Sequence, residues 1–101
     1  MAVDVPRSLS LRAIVLAATG QDIRRCAGCS FCADFVKPGE DLSLEGLLQL
    51  ATMDDEDALT SRTLWSEAAL SQARARCSGR LDVEAILLAL RAEARRRGLV
   101  V

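Results

Sequence analysis

The segment Cys26-Ala27-Gly28-Cys29-Ser30-Phe31-Cys32, with a lone Cys77 far downstream, limits what this chain can fold into more than any other feature. Thiolates at C-x-x-C-x-x-C spacing can hold three iron corners of a cubane from a single turn, and the fourth iron then needs a ligand from elsewhere in the chain. Cys77 is the one cysteine left to supply it. The pattern therefore predicts a single [4Fe-4S] cluster held by Cys26, Cys29, Cys32 and Cys77. Other uses of four cysteines stay open. A zinc site normally draws on two separated pairs rather than a three-and-one split. Two disulfides would need an oxidising compartment, and Met1-Ala2-Val3-Asp4 lacks the basic and long apolar regions of a secretory leader. Inert buried thiols are the blandest alternative.

At 101 residues and 50% hydrophobic content, the chain is expected to fold as one small domain, residues 1–101. The longest apolar runs, Ala13 to Ala18 and Ala85 to Leu90, are too short to cross a bilayer and are flanked by Arg12 and Arg91. The expected location is cytoplasmic, at most peripheral to a membrane complex. A net charge of −1 with 3% aromatic residues gives neither an electrostatic footprint for nucleic acid nor a stacking platform for single strands.

Charge is nevertheless uneven. From Asp34 to Asp57 there are eight carboxylates against the single Lys37, and from Arg74 onward seven arginines face three carboxylates. Solvated helix faces account for this, with Arg95, Arg96 and Arg97 complementing a helix C-terminus. Docking surfaces of opposite sign are the sharper reading.

The pattern is helical throughout. Ser8 or Ser10 is placed to cap a first helix through Ala18, ended by Gly20. After the breaker Lys37-Pro38-Gly39-Glu40, Asp41 or Ser43 is placed to cap a helix with Leu44, Leu47, Leu48 and Ala51 on one face. Asp54 to Asp57 suits the start of a short helix, and Leu64 to Arg76 reads as another, closed by Cys77. Asp82 should cap the last helix, whose buried face is Val83, Ile86, Leu87, Leu90 and Ala94.

Glu67, Leu70, Ala73 and Cys77 repeat the spacing of Cys26, Cys29, Cys32 and Val36. In two-cluster ferredoxins a C-x-x-C-x-x-C-x-x-x-C run occurs twice, and the fourth cysteine of each run ligates the other run's cluster. By that rule one cluster takes Cys26, Cys29, Cys32 and Cys77, a complete set. The other would need positions 36, 67, 70 and 73, none of which is cysteine.

From Thr19 to Leu99 the chain resembles the α-helical ferredoxin-type iron-sulfur subunit of heterodisulfide reductases. Thr19-Gly20-Gln21-Asp22-Ile23-Arg24-Arg25-Cys26 is similar to the approach to that family's first motif. Asp41 to Ala51 is similar to its inter-motif helix, Thr63-Leu64-Trp65 to the entry of its second motif, and Cys77 with Asp82 to Gly98 to its closing cysteine and last helix. The departures are Val36, Glu67, Leu70 and Ala73 in place of the second cluster's ligands, and Ser78 where proline usually follows. Val36, Leu70 and Ala73 are expected to fill the vacated volume, with Glu67 at a rim. The resemblance implies a small all-α, ferredoxin-like domain closed around one cluster, passing electrons between a flavin-containing or other redox subunit and a catalytic subunit.

Four thiolates leave no iron open to substrate, and the chain has no histidine and no Gly-rich nucleotide loop. No catalysis is expected from the chain alone; one-electron relay within a larger redox complex is. Arg24, Arg25 and Arg76 flank ligands in sequence and would raise the cluster's potential, or else belong to a solvated surface. Phe31 and Trp65 would shield the cluster or form an interface. The alternative function is a structural or regulatory module stapled by a cluster or a zinc ion.

Overall fold

Local capping chemistry explains most of the helix boundaries. The computed structural model describes residues 10–26, 36, 38–77 and 81–99. Ser10 caps α1 (Leu11–Thr19) by accepting from the Ala13 N–H, and Gly20, at φ 75°, ends it in the left-handed conformation while donating to Leu16 O. A 3-10 turn, Ile23–Cys26, follows. Ser43, not Asp41, caps α2 (Leu44–Thr52) through the Gly46 N–H. The acidic stretch leads into α3 (Asp57–Thr60). Asp82 caps α6 (Val83–Arg96) through the Ala85 N–H. Among the described residues the fold is all-helical, with no strand.

The expected helix from Leu64 to Arg76 is not continuous. A turn occupies residues 62–65, Ser66 then caps α4 (Glu67–Ser71), and the chain breaks at Gln72 before α5 (Ala73–Arg76). At the turn the cause is tertiary; nothing in the structure explains the break at Gln72. Arg91, 6% exposed on α6, donates from Nε to Leu64 O at 2.8 Å and from Nη2 to Ser66 O at 3.2 Å. The Leu64 carbonyl is thus engaged by a side chain from another helix.

α6 is the spine of the core. It packs on α1, α3, α4 and α5, while α2 meets α1, α3 and the 3-10 turn. The buried cluster includes Leu11 and Val15 of α1, Ile23 of the turn, Leu44, Leu47 and Leu48 of α2, Leu59 of α3, and Ile86, Leu87 and Leu90 of α6. Each such side chain contributes roughly 1.5–3 kcal/mol when removed from water.

Asp41 ties the loop before α4 to the start of α2. Partial burial pushes its carboxyl up, but hydrogen bonds from Ser61 Oγ (2.6 Å), the Arg62 and Thr63 N–H groups (both 3.2 Å) and Thr63 Oγ1 (3.2 Å) outweigh this and lower it to about 2. Because the folded value is depressed, the stabilisation is present above the unfolded value of about 4. It is lost as pH falls toward 2. With the carboxylate partly in solvent, we expect about 1 kcal/mol from it. Urea midpoints followed from about pH 5 to about pH 2 should fall less steeply for Asp41→Asn than for the wild type; parallel curves would discount the Asp41 anchor.

The uneven charge is also partly internal. Arg97 bonds Glu56 at 2.7 Å and Glu93 at 2.6 Å, so the acidic stretch and the arginine-rich end of α6 meet within the chain. Glu93 is buried, and hydrogen bonding from Arg96, then from Arg97, holds its carboxyl below the usual range against the opposing effect of burial. Docking surfaces of opposite sign therefore lose Arg97 and Glu56 to an internal pair.

Candidate metal centre

Cys26 is the last residue of the 3-10 turn. Asp22 starts that turn: its Oδ1 accepts from the Arg24 N–H at 3.0 Å, and its carbonyl from the Arg25 N–H at 3.0 Å. Ile23, fully buried, pins the turn to the core. Cys77 follows α5 directly, its N–H donating to Ala73 O at 3.2 Å. Its Sγ donates to Leu81 O at 3.7 Å, just ahead of the start of α6. Both cysteines are half-buried and pack against the same hydrophobic core. Among the described residues neither is in a disulfide.

A residue that pattern reading passed over joins the two cysteine-bearing segments. Gln21 accepts from the Asp82 N–H through Oε1 at 2.6 Å and donates from Nε2 to Asp82 O at 3.2 Å. One carboxamide thereby engages both backbone polar groups of the residue that caps α6. Thr19 prepares it, since its hydroxyl donates to Val15 O and accepts from the Gln21 N–H at 3.2 Å as the chain leaves α1. The one sequence clue was Gln21 beside a helix-ending glycine; its partner lies 61 residues away.

Cys29, Phe31 and Cys32 lie outside the described residues, as does the side chain of Arg76. Among the described residues no three cysteine, aspartate or glutamate side chains are grouped to hold a metal, and of the predicted donors that set contains only Cys26 and Cys77. Arg24 is exposed and its guanidinium is engaged by Asp22, at 2.8 Å from Nη2 and 3.1 Å from Nε. The hydrogen bond from Arg24 lowers the Asp22 carboxyl to about 2. Arg25 is exposed on the same turn.

Trp65 is engaged on the α6 side. Its Nε1 donates to Leu59 O at 2.9 Å, and the guanidinium carbons of Arg91 and Arg95 stand 5.3 Å and 5.2 Å from its ring centroid. The positions matched to a second cluster divide. Ala73 is fully buried, Leu70 packs against the core, and Glu67 reaches solvent while pairing with Arg91 at 3.2 Å. Val36, expected among the filling residues, is 46% exposed.

Among the described residues no helix is long and apolar enough to cross a membrane. Comparison with protein-family models, with curated proteins and with solved structures gave no match.

Proposed function

We propose that this chain is an electron-transfer iron-sulfur protein, holding one [4Fe-4S] cluster through Cys26, Cys29, Cys32 and Cys77 and working as a subunit of a larger redox complex. The observation that carries the reading is the thiol pattern itself, Cys26, Cys29 and Cys32 at C-x-x-C-x-x-C spacing with Cys77 as the fourth donor; the Gln21–Asp82 hydrogen bonds add a tie between the approach to Cys26 and the start of α6. The donor chemistry fits: the set is all thiol, and Cys26 and Cys77 lean on apolar core rather than standing in open water. When bound, such a cluster supplies one-electron redox chemistry.

The chain's own residues set the conditions. The core behind Cys26 and Cys77 lowers the local dielectric and keeps solvent from that side. The Arg24 charge is largely offset by Asp22, which limits what Arg24 can add to the potential. The likeness to the iron-sulfur subunit of heterodisulfide reductases supports a partner with flavin or further iron-sulfur centres, and a cytoplasmic setting. A mere staple is the weaker reading, because the α1, α2 and α6 side chains already form a continuous buried core.

Anaerobic purification with iron and sulfide assays and paramagnetic spectra before and after reduction tests the proposal. About four irons and about four sulfides per chain, with a reducible signal, are expected. Stoichiometric, redox-silent zinc would replace the relay with the staple.

A further inference from the structure

We infer that Gln21 is the positioning residue of this proposed metal centre: its carboxamide clips the backbone of Asp82 and so sets the position of Cys77 relative to the turn that ends at Cys26, before any metal binds. The inference rests on the four-thiol donor set proposed above, but it concerns a residue outside that set and its geometry stands without metal.

The linkage is short on both sides. From Gln21 the chain enters the 3-10 turn that ends at Cys26, rising only about 2 Å per residue. From Asp82 it runs back through Leu81, buried in the core, whose carbonyl accepts from Cys77 Sγ. Both ends are therefore tied: Ile23 fixes one and Leu81 the other, and the paired hydrogen bonds between Gln21 and Asp82 join them. A single hydrogen bond would leave the segments free to pivot, whereas two bonds from one planar carboxamide fix both distance and orientation. Asp82 also caps α6, so the clip references Cys77 to the spine of the domain.

The consequence is preorganisation. Residues that orient ligands without touching the metal typically govern about 10–100-fold in metal affinity. Gln21→Met keeps the length and apolar stem of the side chain but removes both bonds. Gln21→Glu keeps Oε1 as an acceptor and puts a second oxygen against the Asp82 carbonyl in place of the donor. Metal-free protein is first followed by amide hydrogen exchange, where Gln21→Met should speed exchange at Asp82 about tenfold or more, and Gln21→Glu, which keeps the acceptor, by less, while the α2 amides stay protected. The proteins are then loaded with ferrous iron and sulfide, and separately with zinc. Metal retained after anaerobic gel filtration is measured, along with the reduction potential of the iron-loaded form. Retention should fall at least about tenfold in both variants for whichever metal the wild type holds.

Equal metal retention and an unchanged potential in wild type and variants, with Asp82 deprotected, would make the clip purely structural and overturn the inference while leaving the relay standing. Zinc held by the wild type and lost by the variants would sustain the positioning role and sink the relay. A wild type that retains neither metal would overturn both.

Discussion

Cys77→Ala should empty the proposed metal centre while leaving the helical scaffold folded. Cys77 is half-buried at the edge of the core, so trimming it to alanine in the metal-free protein should cost only about 1 kcal/mol. At this chain length that is a fall of roughly 4–8 °C in Tm. In the loaded protein the loss is of another kind, because the three cysteines of the first motif cannot reach all four corners of a cubane. Changes outside the ligand set cost about 10–100-fold in affinity, and removal of a ligand should exceed that. Iron per chain and melting of the loaded and metal-free forms together check this. A full cubane retained with unchanged stability would mean that Cys77 is not a ligand.

The second large effect is expected at Arg91. Its guanidinium is buried, donates to Leu64 O, Ser66 O and Glu67, and stands 5.3 Å from the Trp65 ring centroid. Arg91→Met preserves bulk but leaves the two carbonyls without this donor; at about 1–3 kcal/mol for each buried group left unmet, we expect a loss of about 3 kcal/mol. Lysine should rescue little, since a point ammonium cannot serve three acceptors spread along a turn. Glu67 is mostly in solvent, so Glu67→Gln should cost well under 1 kcal/mol and separates the carbonyl contacts from the ion pair. Urea denaturation of the three variants checks the order, and an Arg91→Lys protein as stable as wild type would show that charge alone matters there.

Both effects mark where pattern reading stops. The capping residues Ser10, Ser43 and Asp82 and the terminator Gly20 act within one turn of themselves, so residue type and spacing were enough to read them. The same holds for the buried stripe Val83, Ile86, Leu87, Leu90 and Ala94, where helical period places every member on one face. The stretch from Leu64 to Arg76 has acceptable helical composition, yet it opens as a turn, because Arg91 binds the Leu64 carbonyl from 27 residues away and Asp41 holds the loop before it. Val36 was expected inside and lies outside, since an apolar residue carries no mark of which face its neighbours leave open.

What the sequence determined by itself is the all-helical character, the main helix ends and core stripes, and the set of thiols that the proposed cluster draws on, because these depend on residue identity and short-range spacing. The tertiary structure alone decided that the 64–76 stretch is a turn and two short helices, that Asp41 serves as an anchor rather than a cap, and that Gln21 joins the approach to Cys26 to the exit from Cys77. Each of those is a hydrogen bond between backbone groups and a side chain distant along the chain. Every residue offers the same backbone groups, so no composition or period announces which of them a far-off side chain will find.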